Sequence, residues 1–529
     1  MSPQLDSPSE SAVVAPERRS GAVPSASSAQ LSSNANWSLG RSHTTGRGAL
    51  PSAPTLPSPG LCSDFICALA YFAGGTMMPR RKGKGTLRCV PAAYRPGLFG
   101  SRWDVASMLH DIPSSSQSTL SLEESAPTTP GAGSVHGDDV PALANDVLPA
   151  DDGKHYTMVC GGLGYIGSHT TLELLKDGYN VVVVDDLSNC FDNVLTRIRT
   201  LADDYCRTNG IITPTLRFHK MDYRSAEFRA LFPKYAAARS CISGVIHFAA
   251  FKSVSESIER PLAYYQNNIC GLIELLVTLQ ENGVKNFVFS SSATVYGAKA
   301  NEGAPLKEDD LVHFDEVYTD EQGQQALRIN GSKGLTSPYG RSKYFAEAIL
   351  ADVARADPSL RITALRYFNP VGCHPSGILR EDPRQKPTNL FPVVASVMQG
   401  KKPQLEIFGS DWDTRDGTAV RDFIHVMDLA QGHVAALAAA KSNTKREAFR
   451  AFNLGTGNGM TVAEVVASFE KACGQKVPAV LAPRRAGDVG ACVAATQRAE
   501  TELGWRAEKG VDECSRDTWN ALTMADNGK

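Results

Sequence analysis

The chain has 529 residues, 54 Lys and Arg against 56 Asp and Glu, and a formal net charge of −2. This balance lacks the basic surface of a dedicated nucleic-acid binder, and no apolar run approaches the roughly 20 residues that a membrane-spanning helix needs. The 12 cysteines include no Cys-x-x-Cys pair and no zinc-like spacing, which predicts a reducing compartment, no disulfide framework and no structural metal.

The N-terminal segment differs in composition from the rest of the chain. Its first 60 residues contain 14 Ser and 8 Pro, and such a segment buries too little apolar surface to offset its chain entropy. A basic leader as far as Gly100 is followed by an acidic stretch. We therefore expect residues 1–153 to form a disordered or targeting extension. The cytoplasm is the expected location, with import into an organelle as the alternative.

Strand and helix patterns alternate after His155. Residues 156–160 predict a strand, the next glycines a turn, and a helical pattern ends at Gly178 before a second apolar strand. This second strand is at residues 181–184, and further strand candidates are residues 244–249, 286–290, 362–366 and 449–454, with helix-length segments such as 262–280 between them. Short buried strands that alternate with helices predict a doubly wound α/β fold, in which helices cover both faces of a parallel sheet.

The glycine cluster between the first strand and the first helix is a candidate phosphate-binding turn. It runs from Gly161 to Gly167, where glycines permit a tight turn and a close approach to a pyrophosphate at the helix N-terminus. Asp185 ends the next strand, where a carboxylate accepts ribose hydroxyls and repels a 2′-phosphate. The pattern predicts NAD rather than NADP. Asp222 follows another strand-like run and is either a contact of the adenine or an ordinary loop aspartate.

Tyr339 and Lys343 lie four residues apart on a predicted helix, so their side chains share one face. A tyrosine has a pKa of about 10, and a nearby ammonium lowers the cost of its anion and lets it act as a base. A hydroxyl-rich run places Ser292 or Thr294 at the carboxyl end of a parallel strand, where ligands bind. Hydroxyl, phenol and ammonium beside a nicotinamide are typical of hydride transfer on an alcohol.

Together these motifs resemble the UDP-glucose 4-epimerases of the extended short-chain dehydrogenase/reductase family. The resemblance also includes residues 366–372 (Arg-Tyr-Phe-Asn-Pro-Val-Gly) and 420–426 (Val-Arg-Asp-Phe-Ile-His-Val), and runs from about Tyr156 to Trp519. It implies a Rossmann-type NAD domain at 154–370 and a smaller C-terminal α/β domain at 371–529 that binds the UDP-sugar. It further implies a homodimer in galactose metabolism that interconverts UDP-glucose and UDP-galactose through a 4-keto sugar, with tightly held NAD.

The resemblance also assigns roles to single residues. Tyr339 is the base that takes the 4-hydroxyl proton, Ser292 hydrogen-bonds that oxygen, and Lys343 holds the nicotinamide ribose and lowers the pKa of the tyrosine. The residues placed against NAD are Gly161, Gly164, Tyr165, Ile166, Gly167, Asp185, Asn189, Asp222, Tyr223, Phe248, Ala249, Lys252, Asn267, Tyr339, Lys343 and Phe368. The residues placed against the UDP-hexose are Ser292, Thr294, Asn369, Asn389, Leu390, Ile407, Phe408, Arg421, Arg485, Asp488 and Cys492. No metal is implied.

Two of the departures from the common pattern of the family concern the substrate pocket. The 42 residues between Tyr296 and Tyr339 are about twice the number in bacterial-type relatives, so we expect an inserted loop, at about 301–335, that approaches the substrate mouth. Cys492 stands where epimerases with a compact pocket have a tyrosine. A wider pocket admits an N-acetyl group, which predicts activity on UDP-N-acetylglucosamine and UDP-N-acetylgalactosamine.

The sequence leaves two alternative functions open and argues against a third. UDP-arabinose or UDP-xylose 4-epimerases use the same chemistry, and an inactive UDP-sugar sensor would use the same pocket. Sugar-nucleotide 4,6-dehydratases need an acid beside the active-site hydroxyl, and residues 292–294 offer none. The helices at 339–350 and 262–280 usually form the dimer seam in this family. Ile269, Ile273 and Leu276 fit either that seam or the protein core.

Overall fold

The computed structural model describes residues 146–384, 389–442, 447–485 and 488–527. The predicted disordered or targeting extension therefore lies outside the described residues as far as residue 145. Among the described residues, no helix is both long enough and apolar enough to cross a bilayer.

The strands follow one another along the whole described chain. They are β1 (His155–Cys160), β2 (Asn180–Asp185), β3 (Leu216–Lys220), β4 (Cys241–His247), β5 (Asn286–Ser292), β6 (Glu316–Thr319), β7 (Gln325–Arg328), β8 (Arg361–Tyr367), β9 (Asn369–Val371), β10 (Leu405–Phe408), β11 (Val420–His425), β12 (Phe449–Leu454), β13 (Gly459–Thr461), β14 (Ala479–Ala482) and β15 (Ala491–Cys492).

The helices alternate with these strands. They are α1 (Tyr165–Lys176), α2 (Asn193–Asn209), α3 (Ala226–Arg229), α4 (Leu231–Ala237), α5 (Val254–Glu259), α6 (Pro261–Tyr265), α7 (Gly271–Glu281), α8 (Pro338–Ala356), α9 (Leu390–Met398), α10 (Val426–Ser442), α11 (Val462–Cys473), α12 (Gln497–Leu503) and α13 (Val511–Asn527). A π-helical turn occupies Gln266–Cys270, and 3₁₀ turns occupy Ala293–Glu302 and Glu308–Asp310.

Seven strands form the main sheet, in the order β12-β8-β5-β4-β1-β2-β3, and each adjacent pair is parallel. Successive strand residues point to opposite faces, so Val181 and Val183 pack among α1, α2 and α10 while Val182 and Val184 pack among α4, α7 and α8. Burial on both faces explains the unbroken apolar run in β2. The predicted doubly wound α/β fold is confirmed.

The segment after residue 370 contributes both to the main sheet and to a second, smaller lobe. β12 and α10 return to the main sheet, where β12 pairs with β8, so the sheet draws on both sides of the predicted domain boundary. A second lobe is built from small sheets: β10 pairs with β14, and β11 pairs with β9, β13 and β15. α9, α11 and α13 enclose the core of this lobe together with β10 and β11.

The helix predicted over 262–280 is interrupted by the π-helical turn at Gln266–Cys270. Asn268, buried in this turn, accepts a hydrogen bond from the backbone N–H of Phe251 at 2.9 Å and donates to the hydroxyl of Ser342 at 3.0 Å. The wide turn directs the Asn268 amide inward, where it joins the loop after β4 to α8. The predicted helical segment is thus present, but with a π-helical turn inside it, which periodicity does not reveal.

The inserted loop has two structurally different halves. In the first half Leu306 and Leu311 are buried against the main body. In the second half β6 and β7 form an antiparallel hairpin in which Val317 faces Leu327, and these side chains are 71% and 56% exposed. The first half thus belongs to the core, whereas the hairpin projects from it.

Candidate active site

Many of the predicted site residues lie at or just after the carboxyl ends of strands in the main sheet. Gly161 follows β1, Asp185 ends β2, Phe248 follows β4, Ser292 ends β5 and Phe368 follows β8. Because these strands are parallel, their carboxyl ends meet at the same edge, which is where ligands bind in open α/β sheets.

The turn after β1 has no room for side chains at two of its glycines. Gly161 has φ +77°, and a Cβ there would lie 2.8 Å from the backbone nitrogen of Ala249. A Cβ on Gly167 would lie 2.1 Å from the carbonyl oxygen of Gly161. Gly164 caps α1 without a side chain, so the first-turn N–H groups are left for an anion. The turn therefore fits the pyrophosphate of a dinucleotide.

Asp185 holds this turn in place. Its buried carboxylate accepts hydrogen bonds from the backbone N–H groups of Leu163 and Leu187, both at 3.0 Å, and from the thiol of Cys190 at 3.2 Å. Burial raises the pKa of Asp185, and the two N–H groups counteract that effect. A carboxylate has about four acceptor positions, so one remains for a ribose hydroxyl. Asn189 lies half-buried in the same loop.

Three other residues that were predicted to contact NAD form bonds with protein groups in the structure. Tyr165 spans to the second lobe, where its hydroxyl donates to the carbonyl of Gly372 at 2.7 Å. Asp222 forms an ion pair with Arg224 at 2.6 Å. Tyr223 is buried and donates its hydroxyl to the carbonyl of Asn267 at 3.0 Å, so its side chain is a core element.

The loop after β4 borders the glycine turn. Phe248 and Ala249 are half-buried, and Ala249 is the residue that would clash with a side chain at Gly161. Lys252 is exposed and forms an ion pair with Glu381 at 3.2 Å. Ile166 packs at the margin of the main core.

Tyr339 lies in the first turn of α8, which begins after Ser337, whose hydroxyl accepts from the N–H of Gly340 at 3.1 Å. Burial raises the pKa of Tyr339, and a hydrogen bond with Ser292 lowers it. The hydroxyl of Thr294 also donates to that of Ser292, at 3.1 Å. The structure thus brings the three predicted hydroxyls together at the end of β5.

Lys343 is buried one turn further along α8, with only 4% of its surface exposed. Its ammonium donates to the carbonyl of Ser290 at 2.6 Å and lies 4.8 Å from the ring centre of Phe289. Burial lowers the pKa of Lys343 to about 7, and the carboxylate of Glu347 opposes that shift. A lysine with a pKa lowered toward neutrality, one helical turn from a half-buried tyrosine, is typical of a proton-transfer site.

A buried ion pair supports α8 behind Lys343. Glu347 and Arg366 are at most 1% exposed and join at 2.8 Å, and His313 from the inserted loop contacts the same carboxylate at 3.0 Å. Arg366 also donates to the carbonyls of Glu308 and Leu311 in that loop, both at 3.1 Å. Glu347, four residues after Lys343, was not predicted, although the spacing alone placed it on the same helix face.

The second lobe brings together most of the remaining candidates. Arg485 donates to the carboxylate of Asp488 at 2.9 Å and lies 4.6 Å from the ring centre of Phe408. Arg421 is 3.9 Å from Asp488, and β11 aligns it with Cys492 on β15. Burial lowers the pKa of Arg421, and the nearby Cys492 and Asp488 oppose that effect. Two guanidinium groups around one carboxylate leave a net positive charge, which suits a diphosphate.

The other candidates on this side occupy strand and helix ends. Asn369 begins β9, Asn389 is the exposed N-cap of α9 and Leu390 is its first residue. Ile407 is buried in the core of the second lobe. Phe368 is buried with the 3₁₀ segment after β5, and Cys492 packs at the edge of that cluster.

The comparisons with known proteins agree with this geometry. The sequence profile of the NAD dependent epimerase/dehydratase family matches residues 157–455. "UDP-glucose 4-epimerase 2" of Arabidopsis thaliana is 46% identical over 363 residues, which cover 69% of this chain and 93% of that protein. "Bifunctional UDP-glucose 4-epimerase and UDP-xylose 4-epimerase 3", also from Arabidopsis thaliana, is 44% identical over 364 residues, 69% of this chain and 94% of that protein.

A solved structure gives the same result. The crystal structure of UDP-glucose 4-epimerase from Bifidobacterium longum in complex with NAD+ and UDP is 40% identical, with a TM-score of 0.60, and the match covers 71% of this chain and 100% of that one. The chain therefore belongs to the NAD dependent epimerase/dehydratase family. The relatives named above are UDP-glucose 4-epimerases within it, so the predicted resemblance and the predicted cofactor are confirmed.

Proposed function

We propose that this protein is an NAD-dependent isomerase, a UDP-glucose 4-epimerase that interconverts UDP-glucose and UDP-galactose in galactose metabolism. The observation that carries this proposal is the contact of Tyr339 with Ser292 at the carboxyl edge of the sheet, one helical turn from the buried ammonium of Lys343. The similarity to UDP-glucose 4-epimerases over nearly their whole length supports it.

The proposed chemistry assigns one task to each group. Bound NAD, held by the glycine turn and Asp185, would supply the hydride acceptor for carbon 4 of the sugar and the hydride donor for the opposite face. Tyr339 accepts the proton of the 4-hydroxyl at its phenolic oxygen, holds it, and returns it to the same oxygen, so no net proton is consumed. Ser292 hydrogen-bonds the reacting oxygen. Because burial disfavours each charge by itself, a phenolate beside the Lys343 ammonium is favoured over either charge alone.

The turn at 161–167 and Asp185 would hold the dinucleotide. Arg421 and Arg485 would bind the diphosphate of the UDP-sugar. The site residues predicted from the sequence keep these roles as part of the proposal.

One assay tests this function. The purified protein is incubated with UDP-galactose, UDP-N-acetylgalactosamine or UDP-arabinose without added NAD, and each epimer is followed by chromatography. We expect UDP-glucose to form from UDP-galactose, because tightly held NAD copurifies. UDP-galactose that binds without turnover would instead indicate the sensor, and a requirement for a steady supply of NAD would indicate a dehydrogenase.

A second candidate substrate class is UDP-xylose and UDP-arabinose. It is favoured by the bifunctional relative described above, which bears both epimerase names. Pentoses lack the carbon 6 of a hexose and therefore fit any pocket that holds a hexose, so the UDP-arabinose arm of the assay tests this candidate directly.

Cys492 is the residue proposed to set the size of the sugar pocket. We expect Cys492→Tyr to lower kcat/KM for UDP-N-acetylgalactosamine by about tenfold to a hundredfold while that for UDP-galactose changes little, since steric exclusion in a pocket is worth about 1–3 kcal/mol. Cys492→Ser, which keeps the side chain small, is the matched control. An unchanged ratio of the two substrates in Cys492→Tyr would show that this residue does not limit the pocket.

We also propose that the protein is a cytoplasmic homodimer. Support for the dimer comes from apolar side chains exposed on the helices around the π-helical turn and on α8: Leu262 is 80%, Ile273 44% and Phe345 44% exposed. Ile269 and Leu276, by contrast, pack against the core. Light scattering of the purified protein at about twice the chain mass would support the dimer, and a monomeric mass would contradict it.

A further inference from the structure

A chain of hydrogen bonds runs from Lys343 into the protein. The ammonium of Lys343 lies 3.4 Å from the hydroxyl of Ser290, Ser290 hydrogen-bonds the phenol of Tyr367, and that phenol contacts Nε2 of His433. Nδ1 of His433 then meets the carbonyl of Leu429 at 2.8 Å. The residues come from β5, β8, α8 and α10, so the chain crosses the main sheet.

The carbonyl of Leu429, at the end of the chain farthest from Lys343, determines which group donates each hydrogen bond. The carbonyl of Leu429 only accepts, so Nδ1 of His433 carries the hydrogen and Nε2 of the neutral ring is an acceptor. Tyr367 therefore donates to His433, and its oxygen is free to accept the hydroxyl hydrogen of Ser290. The lone pairs of Ser290 are then left for the ammonium of Lys343. Each hydroxyl of the chain thus has one defined acceptor, and the ammonium donates to both the carbonyl and the hydroxyl of Ser290.

Burial decides where the proton of this chain resides. The residues concerned are at most 7% exposed, and His433 is completely buried. Burial lowers the pKa of His433 to about 4 and that of Lys343 to about 7. The pKa of His433 is the lower of the two, so the proton resides on Lys343. The chain is therefore suited to holding a proton on Lys343 rather than to moving it to His433.

We propose that Tyr367 and His433 are positioning residues for the reaction: they fix the Ser290 hydroxyl as an acceptor, so that Lys343, one helical turn from Tyr339, keeps its proton. This inference rests on the proposed epimerase function. The other titratable groups around the chain are Tyr339 and Glu347 on α8, His247 on β4 and Arg366 on β8. The substitutions at Tyr367 and His433 in the test below leave all four of these residues in place.

Tyr367→Phe tests the proposal because it removes a single oxygen and keeps the ring. Without that acceptor Ser290 stabilises the ammonium less, so Tyr339 needs a higher pH to ionise. We expect the acidic limb of the pH profile of kcat/KM to move up by about one pH unit, an approximately tenfold loss below the limb and little loss above it. Tyr235→Phe is the matched control, since Tyr235 forms a similar buried pair with His219 at 3.0 Å beside β3.

A second readout does not depend on turnover. The ultraviolet absorbance of tyrosinate is followed against pH, and the difference between each protein and its Tyr339→Phe counterpart reports the ionisation of Tyr339. Tyr367→Phe is expected to raise the pH midpoint of this ionisation. His433→Leu should do the same, and His433→Gln, which offers an amide oxygen to Tyr367, should restore it. Unchanged midpoints in Tyr367→Phe, or an equal shift in Tyr235→Phe, would overturn the proposal. A parent protein that does not epimerise UDP-galactose would instead remove the proposed function.

Discussion

Tyr339→Phe is expected to lower kcat for UDP-galactose by about a thousandfold, within the range of about 10² to 10⁴ contributed by a positioned acid or base. The substitution removes the one oxygen that is proposed to take the 4-hydroxyl proton and leaves the ring in place. Ser292 contacts this oxygen, but a serine hydroxyl is a far weaker base. The measurement is single-substrate kinetics on protein whose NAD content has been checked, with KM and kcat determined separately.

Tyr344→Phe provides the control for this prediction. Tyr344 lies on the same helix and contacts His313 through its ring, with centroids 5.6 Å apart, so the ring contact survives in the phenylalanine variant. Turnover equal to that of the parent is expected. If Tyr339→Phe also turned over UDP-galactose at the parental rate, another group would have to be the base.

Arg366→Leu is expected to cost about 3–5 kcal/mol of the free energy of unfolding, the usual effect of leaving one partner of a buried ion pair unpaired. Arg366 donates to Glu347 through two nitrogens, to Tyr296 at 3.0 Å and to two carbonyls of the inserted loop. Its loss therefore leaves the buried carboxylate of Glu347 without its arginine partner and removes one donor each from Tyr296 and the two loop carbonyls. Denaturant unfolding followed by circular dichroism measures the change.

Two further variants separate the buried charge from a general effect of losing an arginine. Arg207→Ala removes an exposed ion pair in which the side chains of Arg207 and Asp204 are 77% and 52% exposed, and such a pair is worth about 0–1 kcal/mol. The double variant Arg366→Leu with Glu347→Leu is expected to be more stable than Arg366→Leu alone. A double variant as unstable as the single one would contradict the assignment of the cost to the stranded carboxylate.

The pH dependence of this ion pair follows from its pKa shift. Burial alone would raise the pKa of Glu347, but Arg366 and His313 hold it well below its usual range. The stabilisation is therefore fully present above the pKa of a free glutamate, about 4.3, and is lost only as the pH falls toward the lower folded-state value. At neutral pH the pair keeps the first half of the inserted loop bonded to α8.

The inserted loop shows which features could be predicted from the sequence and which could not. Its length and position were evident, but its role was not, because no local pattern distinguishes a residue that enters the core from one that stays exposed. In the structure His313 reaches Glu347 across 34 positions of sequence. The neighbouring hairpin has similar apolar residues, Val317 and Leu327, yet they remain exposed.

By itself the sequence determined the features whose geometry is local. Glycines with no room for a Cβ, a tyrosine and a lysine four residues apart on one helix, and buried apolar strands each follow from rules that act over a few residues. Only the tertiary structure decided which groups meet Lys343. Ser290 lies 53 positions before it, and Tyr367 and His433 are 66 positions apart. Such partners meet because β5 lies beside β8 with α10 packed against both, and the distance along the chain does not encode that arrangement.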